Sequence, residues 1–213
     1  MMLRIVVFIS GQGTNLQALI HACLTHHLNG RIVAVISDRA EAVGLQRAQQ
    51  AGITTHVIER KSFIDAASFN QALLDITEQC QPDLIVLSGF MRILDRDFVR
   101  YYSGRLINIH PSLLPKYKGL NTHARALAAG DKIHGCSVHF VTEQLDGGPL
   151  IAQAQLEINK HETAEQLHLR VQPLEHLLLP LCVAWIADGK IYDQRVFNIA
   201  ELQQEWRQYE KNA

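Results

Sequence analysis

No apolar run in the chain is long enough to cross a bilayer or to form the core of a signal peptide. The run Ile5 to Ile9 stops at a glycine loop after five residues. Charge of one sign is not in excess either: 20 Lys and Arg stand against 21 Asp and Glu, a net charge of -1. A near-neutral chain has no electrostatic footprint for nucleic acid and no attraction to an anionic membrane. Cys23, Cys80, Cys136 and Cys182 include no C-x-x-C pair, which argues against a disulfide framework or a zinc site and reads as reduced, mostly buried thiols. Internal repeats, low-complexity tracts and a dividing linker are missing too. The 213 residues are therefore expected to form one domain around one sizeable core. Small molecules are the expected partners, with no nucleic acid and no membrane; the cytoplasm is the expected location, and a monomer or weak homodimer the expected state.

Two familiar nucleotide motifs begin at the first loop and fail to complete. Ser10-Gly11-Gln12-Gly13-Thr14-Asn15 follows a strand-like run and precedes Leu16, Leu19, Ile20 and Cys23 at helical spacing, giving strand, glycine loop and helix. Leu16 stands where a dinucleotide fingerprint needs its third glycine, so a nicotinamide cofactor is disfavoured. Thr14-Asn15 stands where a P-loop has Lys followed by Ser or Thr, so a nucleoside triphosphate is disfavoured. What remains fits one phosphate: glycines let the main chain approach, the helix start offers N–H groups, and the hydroxyls of Ser10 or Thr14 add hydrogen bonds. A tight strand-to-helix connection is the plainer use of the same residues.

The rest of the chain alternates strand and helix. Strands are expected at Arg4 to Ile9, Ile32 to Ser37, Thr55 to Ile58, Leu84 to Leu87 and Leu106 to Ile109. Helices are expected at Val43 to Ala51, Asp65 to Gln81, Asp95 to Tyr102, capped by Asp95, and Thr122 to Ala129. His134 to Val141 alternates Cys136, Val138 and Phe140 with Ser137 and His139, the pattern of a half-buried strand, and Leu150 to Ile158 returns as its hairpin partner. Thr163 to Ala187 reads as helix, with Pro173 and Pro180 each expected to kink it or start a new one. Lys190 to Tyr192 and Arg195 to Phe197 suggest an edge hairpin, and Glu201 to Tyr209 a last helix with Leu202, Trp206 and Tyr209 facing inward.

Chemistry gathers where the fifth strand ends. In Leu106-Ile107-Asn108-Ile109-His110-Pro111, Asn108 and His110 share a face while Ile107 and Ile109 point to the core, and Pro111 ends the ladder. Open α/β sheets bind ligands at such carboxyl ends, so an amide beside an imidazole is a candidate catalytic pair. A polar strand end closed by a turn is the plainer alternative. The apolar loop Ser88 to Leu94, with its single cation Arg92, suits a flat aromatic ligand against Met91, Ile93 and Leu94, or simply packs as core. Lys116-Tyr117-Lys118-Gly119 is a basic turn, available to an acidic ligand tail or only solvated. Asp146 sits in a Leu145-Asp-Gly-Gly-Pro149 turn, where an aspartate also bonds its own backbone routinely. No metal is expected, because His134 and His139 fall on opposite strand faces and no ligand spacing is recognisable.

Taken together, Ser10-Gly-Gln-Gly-Thr-Asn15, Gly89-Phe-Met-Arg92, Asn108-Ile-His-Pro-Ser-Leu-Leu-Pro115, Gly135-Cys-Ser-Val-His-Phe-Val141 and Leu145-Asp-Gly-Gly-Pro149 make the chain resemble the phosphoribosylglycinamide formyltransferases, the folate-dependent glycinamide ribonucleotide transformylases of purine synthesis. The resemblance runs from Arg4 to about Lys190, in family order. It implies a single-domain, Rossmann-like α/β formyltransferase fold: a mostly parallel twisted sheet flanked by helices, with an antiparallel C-terminal part. A phosphate-binding half at about 1–105 and a folate-binding half at about 106–213 would share one continuous sheet. The resemblance also implies that 10-formyltetrahydrofolate is the co-substrate and that Gly13, Thr14, Asn15 and Glu175 bind the ribonucleotide. Met91, Arg92, Ile93, Leu94, Asn108, Thr142, Glu143, Gln144, Leu145 and Asp146 are the implied folate contacts. Asn108, His110 and Asp146 are the implied catalytic residues. Three positions depart from the family pattern: Ala66 where some relatives have arginine, Asn121 where histidine is frequent, and Pro173 in a run usually without proline. The alternative is another user of the same folate, a hydrolase or a formyltransferase with a different acceptor. A carboxyl-terminal RNA-binding domain or an amino-terminal regulatory domain, usual in two such relatives, is not expected in this length.

Overall fold

The structure, a computed structural model, describes residues 2–25, 27–190 and 194–212. Leu3–Ile9 (β1) is apolar apart from Arg4, and its alternate side chains feed opposite faces: Ile5, Val7 and Ile9 enter one hydrophobic cluster, Val6 and Phe8 another. Such a strand is stable only with cover on both sides. Thr14–Leu24 (α1), Val43–Gln50 (α2), Ala164–Ala187 (α6) and Ile199–Asn212 (α7) supply one layer, and Ala66–Cys80 (α3) with Arg96–Tyr101 (α4) the other. Asp65 and Asp95 cap α3 and α4 by accepting the N–H of Ser68 and Phe98. Between the layers lie Gly30–Ser37 (β2), Thr55–Val57 (β3), Leu84–Leu87 (β4), Leu106–His110 (β5), Ile133–Phe140 (β6), Leu150–Glu157 (β7) and Arg195–Asn198 (β8). Thr122–Ala128 (α5) precedes β6.

These strands form one continuous sheet in the order β3-β2-β1-β4-β5-β6-β7-β8. The first five are parallel; β6 is antiparallel to β5 and β7, and β8 runs parallel to β7. The mostly parallel sheet with an antiparallel part is thus as expected, with β6 as the one reversed strand. None of the described helices is long and apolar enough to cross a membrane.

One expectation is corrected. β6 is not half-buried: Ser137 and His139 are as enclosed as Cys136 and Val138, because β6 lies inside the sheet with cover on both faces. Ser137 is satisfied there by donating to the Ser112 carbonyl at 2.6 Å and accepting from the Leu114 N–H and the Gln153 amide. α6 runs through Pro173 and Pro180 as one helix of 24 residues, about 36 Å at 1.5 Å per residue, so of the two outcomes expected at each proline a new helix is the one that does not occur. A proline inside a helix costs about 3 kcal/mol. Burial of Leu167, Val171, Leu174, Leu178, Leu181 and Trp185 offsets it, and a Thr163–Gln166 capping box fixes the helix start. At the carboxyl end, Arg195–Asn198 joins β7 in parallel as an edge strand, and 191–193 of the expected hairpin lie outside the described residues. The expected inward face of α7 is present: Leu202 is buried, and Trp206 and Tyr209 pack on the core.

Candidate active site

β1, β4 and β5 are neighbours, so the loops after them share one sheet edge, and there they wall a cleft of about 740 Å³. At one end lies the glycine loop. Gly13 adopts φ +68°, and a Cβ there would stand 2.6 Å from the Gly44 Cα, so glycine is required on both counts. The loop is braced from α2: Gly44 N–H donates to the Gly11 carbonyl at 3.0 Å, and Arg47 Nε to the Gln12 carbonyl at 2.9 Å. α1 has no side-chain cap, so its first N–H groups, beside Gly13, Thr14 and Asn15, have no helical partner and face the cleft. Of the two hydroxyls available to an anion, that of Ser10 donates to Asp38 instead, while Thr14 lines the cleft.

α6 reaches the same end. Asn15 Nδ2 donates to Glu175 Oε2 at 2.7 Å, and Gln172 Nε2 to Thr14 Oγ1 at 3.2 Å, one helical turn apart on α6. Glu175 is 7% exposed; burial raises its carboxyl pKa above the ordinary value, and the Asn15 amide partly opposes that rise.

The middle of the cleft holds the amide and imidazoles. His110 Nδ1 lies 3.5 Å from Asp146 Oδ2, and its Nε2–H donates to the Tyr117 carbonyl at 2.9 Å. Both ring nitrogens therefore face acceptor oxygens. Asp146, at φ +45°, is held by the Gly119 N–H, which donates to Oδ2 at 2.8 Å. The turn expected to offer basic side chains thus supplies main-chain groups to His110 and Asp146, while Lys116 pairs with Asp131 at 2.9 Å.

His139 is a member that sequence reasoning assigned to an exposed face. Its Nδ1–H donates to the Phe140 carbonyl at 2.8 Å, leaving Nε2 to accept from Asn108 Nδ2 at 3.2 Å and to lie 3.7 Å from Asp146 Oδ1. Burial holds this imidazole below its ordinary pKa, which keeps the accepting nitrogen unprotonated. One N–H of the Asn108 amide is thereby fixed and the other is left for a ligand. Parity held the signal, since Asn108 and His139 are direct cross-strand partners.

Met91, Arg92, Ile93 and Leu145 line the far end, with Met91 and Ile93 55% and 79% exposed. Leu94, Thr142, Glu143 and Gln144 do not line the cleft. Leu94 is buried in the cluster below the sheet, Glu143 pairs with Arg96 and Arg100, and the Gln144 carbonyl accepts from the Gly147 N–H. Of the departing positions, Asn121 lines the cleft at φ +57°, Ala66 opens α3, and Pro173 lies within α6. A chain of imidazoles borders the cleft as well: His134 Nε2 is 3.0 Å from His123 Nδ1, and His123 Nε2 is 3.4 Å from His168 Nδ1. Burial and the neighbouring imidazoles lower the His123 pKa to about 4. His134 and His139 thus belong to separate clusters, and no group of three metal-ligating residues is found among the described residues.

A parallel sheet with a phosphate-sized loop at one end of its cleft and an amide, an imidazole and a carboxylate at the middle is the layout of an acyl-type transferase, and residues 3–183 match the family model described as formyl transferase. The chain belongs to that family. It is 50% identical over 189 residues to the phosphoribosylglycinamide formyltransferase of Escherichia coli K12, covering 89% of each chain. To the enzyme of the same name from Haemophilus influenzae it is 44% identical over 190 residues, covering 89% of this chain and 90% of that one. Among solved structures, the phosphoribosylglycinamide formyltransferase of Coxiella burnetii in complex with CHES superposes with a TM-score of 0.84 at 56% identity, covering 88% of each chain. β8 and α7 lie beyond the family match.

Proposed function

We propose that this enzyme transfers the formyl group of 10-formyltetrahydrofolate to the amine of glycinamide ribonucleotide, a step of purine biosynthesis. The observation that carries the reading is the placement of Asn108, His110 and Asp146 between a main-chain phosphate cradle and an apolar ledge. Gly13, Thr14 and Asn15 would hold the phosphate end of the acceptor, and Glu175, where ionised, would attract its amine-bearing part. The pterin would lie against Met91 to Ile93 and Leu145 to Asp146. The acceptor end draws on both parts of the chain, since Glu175 comes from α6 while the loop follows β1. A monomer or weak homodimer, in the cytoplasm, is the state proposed for it.

The amine attacks the formyl carbon, a C–N bond forms, and negative charge grows on the formyl oxygen. The free N–H of Asn108 is a donor for that oxygen, a contribution typically worth a hundredfold to a thousandfold in rate, roughly. The proton lost by the amine passes to the folate nitrogen as its bond to the formyl carbon breaks. His110, facing Asp146, would stabilise the anion and move that proton, general acid–base help of roughly 10²–10⁴. Nothing in this sequence of bonds needs an enzyme nucleophile, and Cys136, whose pKa burial raises, is left to packing.

The test is a formyl-transfer assay with 10-formyltetrahydrofolate, run with glycinamide ribonucleotide and with water alone. Formylated ribonucleotide should form much faster than formate is released. Equal release of formate in both arms would overturn the assigned acceptor and favour a hydrolase.

A further inference from the structure

The carboxyl ends of β2, β1 and β4, three neighbouring strands, are joined by a polar clip that lies behind the cleft. Asp38 follows β2, Ser10 follows β1, and Met91 and Arg92 lie in the loop after β4. Ser10 Oγ donates to Asp38 Oδ1 at 2.5 Å and accepts from the Met91 N–H at 2.8 Å. The other carboxylate oxygen, Oδ2, accepts from Arg92 Nε at 2.7 Å. The Asp38 side chain is 1% exposed, and neither Asp38 nor Ser10 lines the cleft.

A carboxylate so enclosed is costly unless its oxygens are bonded. Here each oxygen has a partner, and the partners lead to different walls of the cleft. A serine hydroxyl has a single hydrogen; committing it to Asp38 turns a lone pair toward the Met91 amide, so the first bond orients the second. Arg92 adds an independent tie, which anchors the Met91 to Ile93 loop where it leaves β4.

We propose that Asp38 is a positioning residue: through Ser10 it sets the start of the glycine loop, and through Ser10 and Arg92 it sets the loop that carries Met91 and Ile93. One buried carboxylate then governs the fit of both substrates while touching neither. The proposal rests on the reading of the two cleft ends as acceptor and donor sites.

Steady-state kinetics of Asp38→Ala, Asp38→Asn and Ser10→Ala, with each substrate varied in turn, provide the test. Asp38→Ala should raise KM for both substrates about tenfold with a smaller change in kcat, as expected when binding geometry and not chemistry is lost. Asp38→Asn keeps an oxygen for Ser10 but presents no anion to Arg92. It should raise the folate KM and restore the ribonucleotide KM to within about twofold of wild type. Ser10→Ala should raise both. A carboxylate that only stabilises the fold would lower thermal stability and leave both KM values in place, and that result overturns the proposal. So does Asp38→Asn behaving as Asp38→Ala on both substrates. If Asp38→Ala does not fold, the other two variants decide: a change of folate KM alone in Asp38→Asn and of both in Ser10→Ala supports the clip, and any other pairing overturns it. Calorimetric titration with tetrahydrofolate and with glycinamide ribonucleotide separately keeps the two readings apart. A wild-type enzyme that binds both but does not transfer formyl sinks the reaction assigned above, and the clip is then judged on those two affinities.

Discussion

At the glycine-loop end the cleft is walled by main chain, with Gly13 seated against Gly44 and loop carbonyls tied to α2, whereas at the Asp146 end side chains do the work. The first wall is set by backbone conformation and close approach. The second depends on imidazoles and a carboxylate whose partners must each be present. Substitutions should therefore separate the two ends: one loses binding when its backbone is disturbed, the other loses rate when a single functional group is removed.

The sharpest form of that contrast is Asn108→Ala or His110→Ala. Each should lower kcat by roughly 10²–10⁴ with the melting temperature and both KM values close to wild type. Near wild-type turnover in both would erase the distinction between the ends. Gly13→Val strikes the other wall. A β-branched residue at φ +68°, pressed on the Gly44 Cα, should cost about 1–3 kcal/mol of stability, seen in the denaturant midpoint, and raise the acceptor KM without an equal fall in kcat.

How much of this was legible in the sequence follows the same divide. β1 and β4 announced themselves as apolar runs, and in β5 Asn108 and His110 share a face by simple parity. At the prolines of α6 the sequence leaves a kink and a new helix open; the helix continues because it is buried along most of its length, where tertiary packing prevails. His139 was misplaced because alternation cannot tell a solvated face from one covered by another layer. The parts played by Tyr117 and Gly119 use main-chain groups, which no side-chain pattern reveals.

Smaller effects refine the contrast. Glu175→Gln keeps an oxygen for Asn15 but removes the charge, and it should raise the acceptor KM about tenfold while leaving the folate KM unchanged. An equal rise for both substrates would mean that α6 serves the whole cleft. Acid titration probes the histidine-lined wall. His123 is held to about 4 in the fold against an ordinary 6.5, so between those values the unfolded chain binds more protons. Stability should fall as pH drops from 6.5 toward 4 and level off below, with His123 contributing about 1 kcal/mol once its partial contact with water is discounted. Burial depresses His134 and His139 in the same direction. Chemical denaturation across that range should show a shallower slope in His123→Gln than in wild type.

The bonds from Asn15 to Glu175 and from Thr14 to Gln172 join residues 160 and 158 positions apart. A ribosome making this chain completes the first loop early but cannot finish the pocket around it until α6 has cleared the exit tunnel. Nascent chains halted before that point should have a weakened grip on the sugar phosphate, so ligand can rescue folding only once α6 has emerged.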